Sequence, residues 1–175
     1  MTVAEPAARP YPSAMSGATD LYDSDFYAWA QDQAARLRAW PEHLRPNGVD
    51  IENVAEEIES LGRWDRRAVG SLLYRIMKHL MKLALVRNEE PRRGWRRELD
   101  EFRAQAERLL AESPSLAAQL PEIAAGEWPR VRRALLRELE GEAGVPLQAL
   151  PEALPFDPVA ELLNPGWEPP PPLPH

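Results

Sequence analysis

Two carboxylates one helical turn apart, Glu56 and Glu59 in "NVAEEIESLG", and one histidine in the apolar run "RIMKHLMK", His79, are the side chains best suited to chemistry. If both segments are helical, Glu52, Glu56 and Glu59 share a face, and His79 borders the apolar stripe of the next helix, one turn after Arg75. Carboxylates and an imidazole can hold a hard or borderline divalent ion or exchange a proton, with Lys82 or Arg103 as an electrophilic neighbour. The absences weigh against a metal. His43 lies in a loop segment and His175 ends the chain, and neither E-x-x-H nor H-E-x-x-H occurs. No metal and no cofactor is therefore expected. Ser60 or Ser71 could be drawn into a triad with His79, but no G-x-S-x-G elbow is present, nor any glycine-rich phosphate loop.

The bland role for the same residues is architectural. Arg63, Arg66, Arg67, Arg75 or Arg103 would meet the glutamates across a helix interface, with His79 hydrogen-bonded at the rim. A second cluster, "RRGWRR", sets Arg92, Arg93, Arg96 and Arg97 around Trp95, a pattern able to neutralise phosphate and stack on a base. Trp95 also heads an apolar stripe, which places its ring in the core, and the net charge of −7 opposes a polyanion.

The elements that must position these groups are helical. Asp23 is a candidate N-cap for a first helix whose stripe is Tyr22, Phe26, Trp29, Ala30, Gln33, Leu37 and Trp40, ending before Pro41. Asp50 caps a second helix with Ile51, Val54, Ala55, Ile58 and Leu61 inward, and Gly62 is placed to stop it. A third, from about Trp64 to Val86, is the most apolar and should be central. "RNEEPRRG" interrupts before a fourth carrying Trp95, Leu99, Phe102, Ala106 and Leu109. Ser113 ahead of Pro114 signals a further start. The stretch to about Leu139 either kinks at Pro121 and Pro129 or is several short helices. A last short helix is expected in "FDPVAELLN".

No stretch alternates with period two, so the reading is an all-α, antiparallel bundle of about five helices in one domain, residues 20–167. Residues 1–19 and the Pro-rich 168–175 are expected to be disordered tails. Cysteine is absent, which excludes disulfides, and no apolar run approaches the roughly 18 residues that cross a bilayer. A cytoplasmic protein without a membrane segment is expected. Charge is segregated: residues 20–62 carry 3 basic and 10 acidic groups, 63–103 carry 12 and 6, and 104–175 carry 5 and 11. That pattern predicts basic helices packed beside acidic ones within the fold.

"YDSDFYAWAQDQAARLR", "NVAEEIESLG", "HLMK", Trp95 ahead of "EFR", "SPSL" and the closing "LPFDPVAELLNPGWEP" together resemble a bacterial family known as domain of unknown function 29. The resemblance runs from about Leu21 to Pro169 and implies a compact all-helical domain without implying an activity. The matching positions include Asp25, Phe26, Tyr27, Trp29, Glu56, Glu57, Glu59, Leu61, His79, Lys82, Trp95, Arg103 and Ser113 to Leu116. Leu83 departs from the pattern, which has an aromatic there.

The leading expectation is a non-enzymatic module acting through contacts with a protein partner. Its rivals are a small enzyme or metal protein using Glu56, Glu59, His79, Lys82 and Arg103, and a nucleic-acid-associated protein using the four arginines.

Overall fold

The computed structural model describes residues 16–140 and 150–170. The expected disorder of 1–15 and 171–175 lies outside the described residues, as does His175. Helix α1 (Ser16–Ser24) begins inside the stretch expected to be a tail, and α2 (Phe26–Arg38) follows after one residue. That residue, Asp25, leaves helical geometry at φ −158°, and its Oδ1 accepts from the Ala28 amide at 3.0 Å. The cap of the first long helix is thus Asp25, not Asp23, because its carboxylate reaches an amide that the helix itself cannot satisfy. Gly48, at φ +80°, turns the chain before Asp50, which caps the next helix by accepting from the Asn53 amide.

That helix, α3 (Ile51–Leu85), is continuous for 35 residues, about 50 Å of rod. The expected stop at Gly62 does not occur. Gly62 is buried against α2, where a Cβ would stand 3.3 Å from both the Ala30 Cβ and the Tyr27 ring. The glycine therefore lets two helices approach; it does not end one. Ala30, Ala34, Ile51 and Ala55 complete this thin seam.

The main core begins only at Val69. Leu73, Ile76, Met77, Leu80 and Leu83 of α3 meet Leu99 of α4 (Glu89–Glu112), Leu116, and Ile123, Trp128, Val131 and Leu135 of α5 (Leu120–Glu138). Among the described residues no buried member of that cluster precedes Val69, and from that part of the chain Tyr27 packs against it. Helix α4 runs antiparallel to α3, since His79 meets Glu98 while Asp65 meets Ser113. Helix α5 runs with α3, since Gly70 lies against Ile123 and Lys82 reaches Glu138. Every long helix packs on α3, and α2 covers only its first half.

The remaining helix boundaries differ in detail from the expectation. Helix α4 starts at Glu89, not after Gly94: Asn88 caps it by accepting from the Glu90 amide, and Pro91 falls in the first turn, where a missing N–H costs nothing. Ser113 caps only a 3-10 segment, Pro114–Gln119, and makes no side-chain cap bond. Pro121 lies in the first turn of α5, and Pro129 sits inside that helix without ending it. The helix expected in "FDPVAELLN" is a π-helical turn, Pro158–Leu162, capped by Asp157. Among the described residues there is no strand, and no helix long and apolar enough to cross a membrane.

Candidate functional site

His79 is buried, as a residue on the core edge should be, but its partner is a residue that spacing did not indicate. Its Nδ1 lies 2.8 Å from the Arg75 carbonyl oxygen, which can only accept, so Nδ1 carries a proton. Its Nε2 lies 2.7 Å from a carboxylate oxygen of Glu98 on α4. Phe102 packs edge-on to the ring, at 5.4 Å between centroids, and the Arg75 guanidinium lies over Phe102. Both ring nitrogens are engaged within the fold, one by a backbone carbonyl and one by a carboxylate. Ser60 donates to the Glu57 carbonyl instead.

Glu56 and Glu59 do not converge on His79. All three ride on one continuous helix, and the twenty residues from Glu59 to His79 amount to about 30 Å. Glu59 accepts from Arg38 of α2 at 2.6 Å and lies 3.2 Å from Arg63, which also stands 3.6 Å from Glu56. The hydrogen bond from Arg38, then the charges of Arg38 and Arg63, hold the Glu59 carboxyl below its ordinary range.

Lys82 and Lys78, the two lysines of the chain, both grip Glu138 of α5, with Lys82 at 2.7 Å. Lys82 also lies over the Trp95 ring at 5.4 Å. Burial favours the neutral form of Glu138, but the bonds and charges of the two lysines outweigh it and keep its carboxyl below the ordinary value. A cleft of about 180 Å³ opens here between Asn88, Trp95 and Glu138.

Arg103 is 3% exposed and serves the segment from Leu150 to Pro170. Its Nε donates to the Leu162 carbonyl at 2.8 Å, and its Nη2 to those of Glu161 and Trp167 at 2.9 and 3.0 Å. Burial pushes its pKa down, against the charges of Asp100 and Glu168.

The four arginines of "RRGWRR" do not form one face. Arg92 is buried and its Nη1 donates to the Leu83 and Val86 carbonyls, which closes the C-terminal end of α3. Its Nε lies 3.2 Å from Glu89 without hydrogen-bond geometry. Arg96 is paired with Glu168 and Glu89, which leaves only Arg93 and Arg97 projecting outward. Residue 168, expected in the tail, is thus tied to α4.

A polar hub joins three elements that sequence left unconnected. Asp25 accepts from the Ser115 amide at 2.7 Å and from its hydroxyl at 2.9 Å. Ser113, wholly buried, donates to Asp65 at 3.1 Å and accepts from the Tyr27 amide at 3.2 Å. The hub anchors the start of α2 to α3 and to the end of α4. Glu98, Glu138, Asp65 and Ser115 were the partners missed; each lies far along the chain from its mate, and no local spacing reports it. Among the described residues no three His, Asp or Glu side chains form a group able to hold a metal.

The most unusual surface lies elsewhere. Eight large apolar side chains are exposed among the described residues, and seven belong to the stretch from α1 to the first half of α3: Tyr22, Trp40, Leu44, Val49, Val54, Leu61 and Trp64. Val54, Leu61 and Trp64, at 42, 47 and 68% exposure, share one face of α3. In this half α3 thus has one covered and one bare apolar face.

An all-helical protein organised on one long central helix is what these features define. The chain belongs to the family described as domain of unknown function DUF29, whose model matches residues 21–168. It is also similar to an alpha-helical protein of unknown function from Rhodospirillum rubrum, at 27% identity and a TM-score of 0.65, over 82% of this chain and 89% of that one. None of the curated proteins matches it.

Proposed function

We propose that the protein is a non-enzymatic helical module that works by binding another protein through the hairpin of α2 and the first half of α3. The observation that carries the reading is the bare face at Val54, Leu61 and Trp64, on the part of α3 before Asp65, which lies outside the main core and packs against α2. The sequence-favoured polar groups support it from the other side. Glu56, Glu59, Lys82, Arg92 and Arg103 are spent on ion pairs, a helix end and chain carbonyls, all of which serve architecture. We place the protein in the bacterial cytoplasm, a setting in keeping with its lack of cysteine and with a Rhodospirillum relative.

A photo-crosslinking amino acid at position 64, introduced in the living source cell, tests this. One discrete adduct is expected, lost on adding Leu61→Asp and missing when the crosslinker sits at position 97. Equal labelling from positions 64 and 97 would refute the reading.

A further inference from the structure

We infer that the occupant of the α3 face is an amphipathic α-helix of a different protein, with a lysine or arginine opposite Glu57; this rests on the interaction reading above. Val54, Glu57, Leu61, Trp64 and Ala68 recur at alternating intervals of three and four, the spacing of a helix-packing seam. Further along α3 the same stripe passes through Arg75, His79 and Lys82, and at His79 and Lys82 it is covered. Phe102 packs on His79 and Arg75, Glu98 bonds His79, and Trp95 lies beneath Lys82, all from α4. Helix α4 stops at Glu112, level with Asp65, which bonds Ser113. One stripe on one helix therefore has α4 alongside it as far back as Asp65 and lacks α4 before it. The bare run, Val54 to Trp64, is eleven residues or about 15 Å, three turns of a partner laid in line with α4. A groove of about 400 Å³ between α3 and α4, lined by Ala68, Leu72, Arg75, Arg108 and Leu109, takes up where that run ends and would receive the partner's tip.

Charge settles what kind of helix fits. In the roofed half α3 presents cationic and imidazole groups, and α4 answers His79 with a carboxylate. In the bare half the polar member of the stripe is an acid. Residues 20–62 carry 10 acidic groups against 3 basic ones. Their ion pairs stay local: Asp32 with Arg36, Glu52 with Arg45, Glu56 with Arg63, and Glu59 with Arg38 and Arg63. Glu57 has no ion pair among the described residues. The C-terminal acids, by contrast, meet the basic middle of the chain through Arg66–Glu122, Lys82–Glu138 and Arg96–Glu168. Between residues 20 and 62 the acids outnumber their basic partners, and Glu57 is the one that stands on the bare stripe. A second copy of this chain would bring the same acidic hairpin and repel it, whereas a basic helix supplies both the apolar knobs and the missing charge.

The test uses the full chain and two stapled 14-residue helical peptides with leucines at the seam positions. One carries lysine opposite Glu57 and the other glutamate, and binding is read by fluorescence anisotropy at low salt. The lysine peptide is expected to bind about fivefold tighter, the scale of one exposed ion pair. Glu57→Lys should reverse the preference, and Leu61→Asp should abolish both while circular dichroism stays unchanged. Equal affinities that Leu61→Asp still abolishes would overturn the basic partner and leave the docking face standing. No binding of either peptide, or binding indifferent to Leu61→Asp, would overturn both. Concentration-dependent dimers in sedimentation, lost in Leu61→Asp, would assign the face to a second copy and overturn this inference.

Discussion

Replacing Arg103 with methionine should release the segment from Leu150 to Pro170 while leaving the helices folded. The guanidinium supplies three hydrogen bonds to the carbonyls of Glu161, Leu162 and Trp167, one of them fully buried. A hydrogen bond from a charged donor contributes about 1.5–3 kcal/mol, but water can replace the two partly buried ones, and removing a buried cation also removes its desolvation cost. Those terms leave a net loss of about 3 kcal/mol. The segment keeps its other anchors: Phe156 packs between Trp128 and Trp167 at 6.2 and 5.9 Å, and the Trp128 indole donates to the Glu152 carbonyl. It should thus open locally and reversibly. When reclosing outpaces cleavage, proteolysis follows the open population, so 3 kcal/mol predicts chymotryptic cutting near Phe156 and Trp167 about 100-fold faster. Arg103→Lys, which keeps the charge but cannot fork to three carbonyls, should fall between. Cleavage at the wild-type rate in Arg103→Met, with an unchanged melting temperature, would refute the claim that this side chain holds the segment.

Substitutions at three further positions test the frame. Gly62→Leu should cost about 2–3 kcal/mol in urea denaturation by forcing α2 off α3, whereas Gly62→Ala, which gains helix propensity but presses on Ala30 and Tyr27 at 3.3 Å, should be near neutral. Pro129→Ala should raise stability by about 1–2 kcal/mol, since the exposed proline withholds an amide from the Ala125 carbonyl inside α5; an unchanged midpoint would mean the helix cannot close that bond. Glu138→Gln should cost about 1 kcal/mol at neutral pH by loosening both lysines. Because the folded pKa of Glu138 lies below its ordinary 4.5, this contribution is present above that value and lost as pH falls through the folded pKa. Wild type and variant should therefore converge in acid, and a gap that persists well below pH 4.5 would contradict the pairing.

The helical fold was legible because apolar residues recur at one period throughout, while its joints were misread where one residue type has two uses. Gly62 is the clearest case. A glycine after a helical stripe marks a stop when the chain needs left-handed geometry, and a contact when a neighbour needs room. The phase of the stripe could have decided, since Ile51, Ala55, Ile58, Gly62, Val69, Leu73 and Ile76 stay in register across the glycine, which a loop would have broken. Likewise, Pro91 reads as an interruption until Asn88 is recognised as the cap three residues earlier. Long-range partners carry no such signal. Glu98 for His79, Asp65 for Ser113 and the chain carbonyls for Arg103 are fixed by how rods lie together.

The misreading of Gly62 also hid the surface that matters most. Two short helices would each have buried their own stripe, and Val54 and Leu61 would belong to the core. One rod of 35 residues has α2 but not α4 beside it before Asp65, because α4 has only 24 residues and begins at the far end. The excess length of α3 over α4 therefore decides which leucine and which tryptophan face water. Lengthening α4 is the direct way to examine that argument: three helical turns inserted after Glu112 would cover Val54 to Trp64 from within, but would tear Ser113 from Asp65 and Ser115 from Asp25. The hub thus sits where α4 ends, and Ser113→Ala should destabilise the start of α2 without lengthening α4, and so without changing the exposure of Trp64. Quenching of Trp64 by acrylamide, unchanged in Ser113→Ala and reduced by a bound helix, separates the two roles.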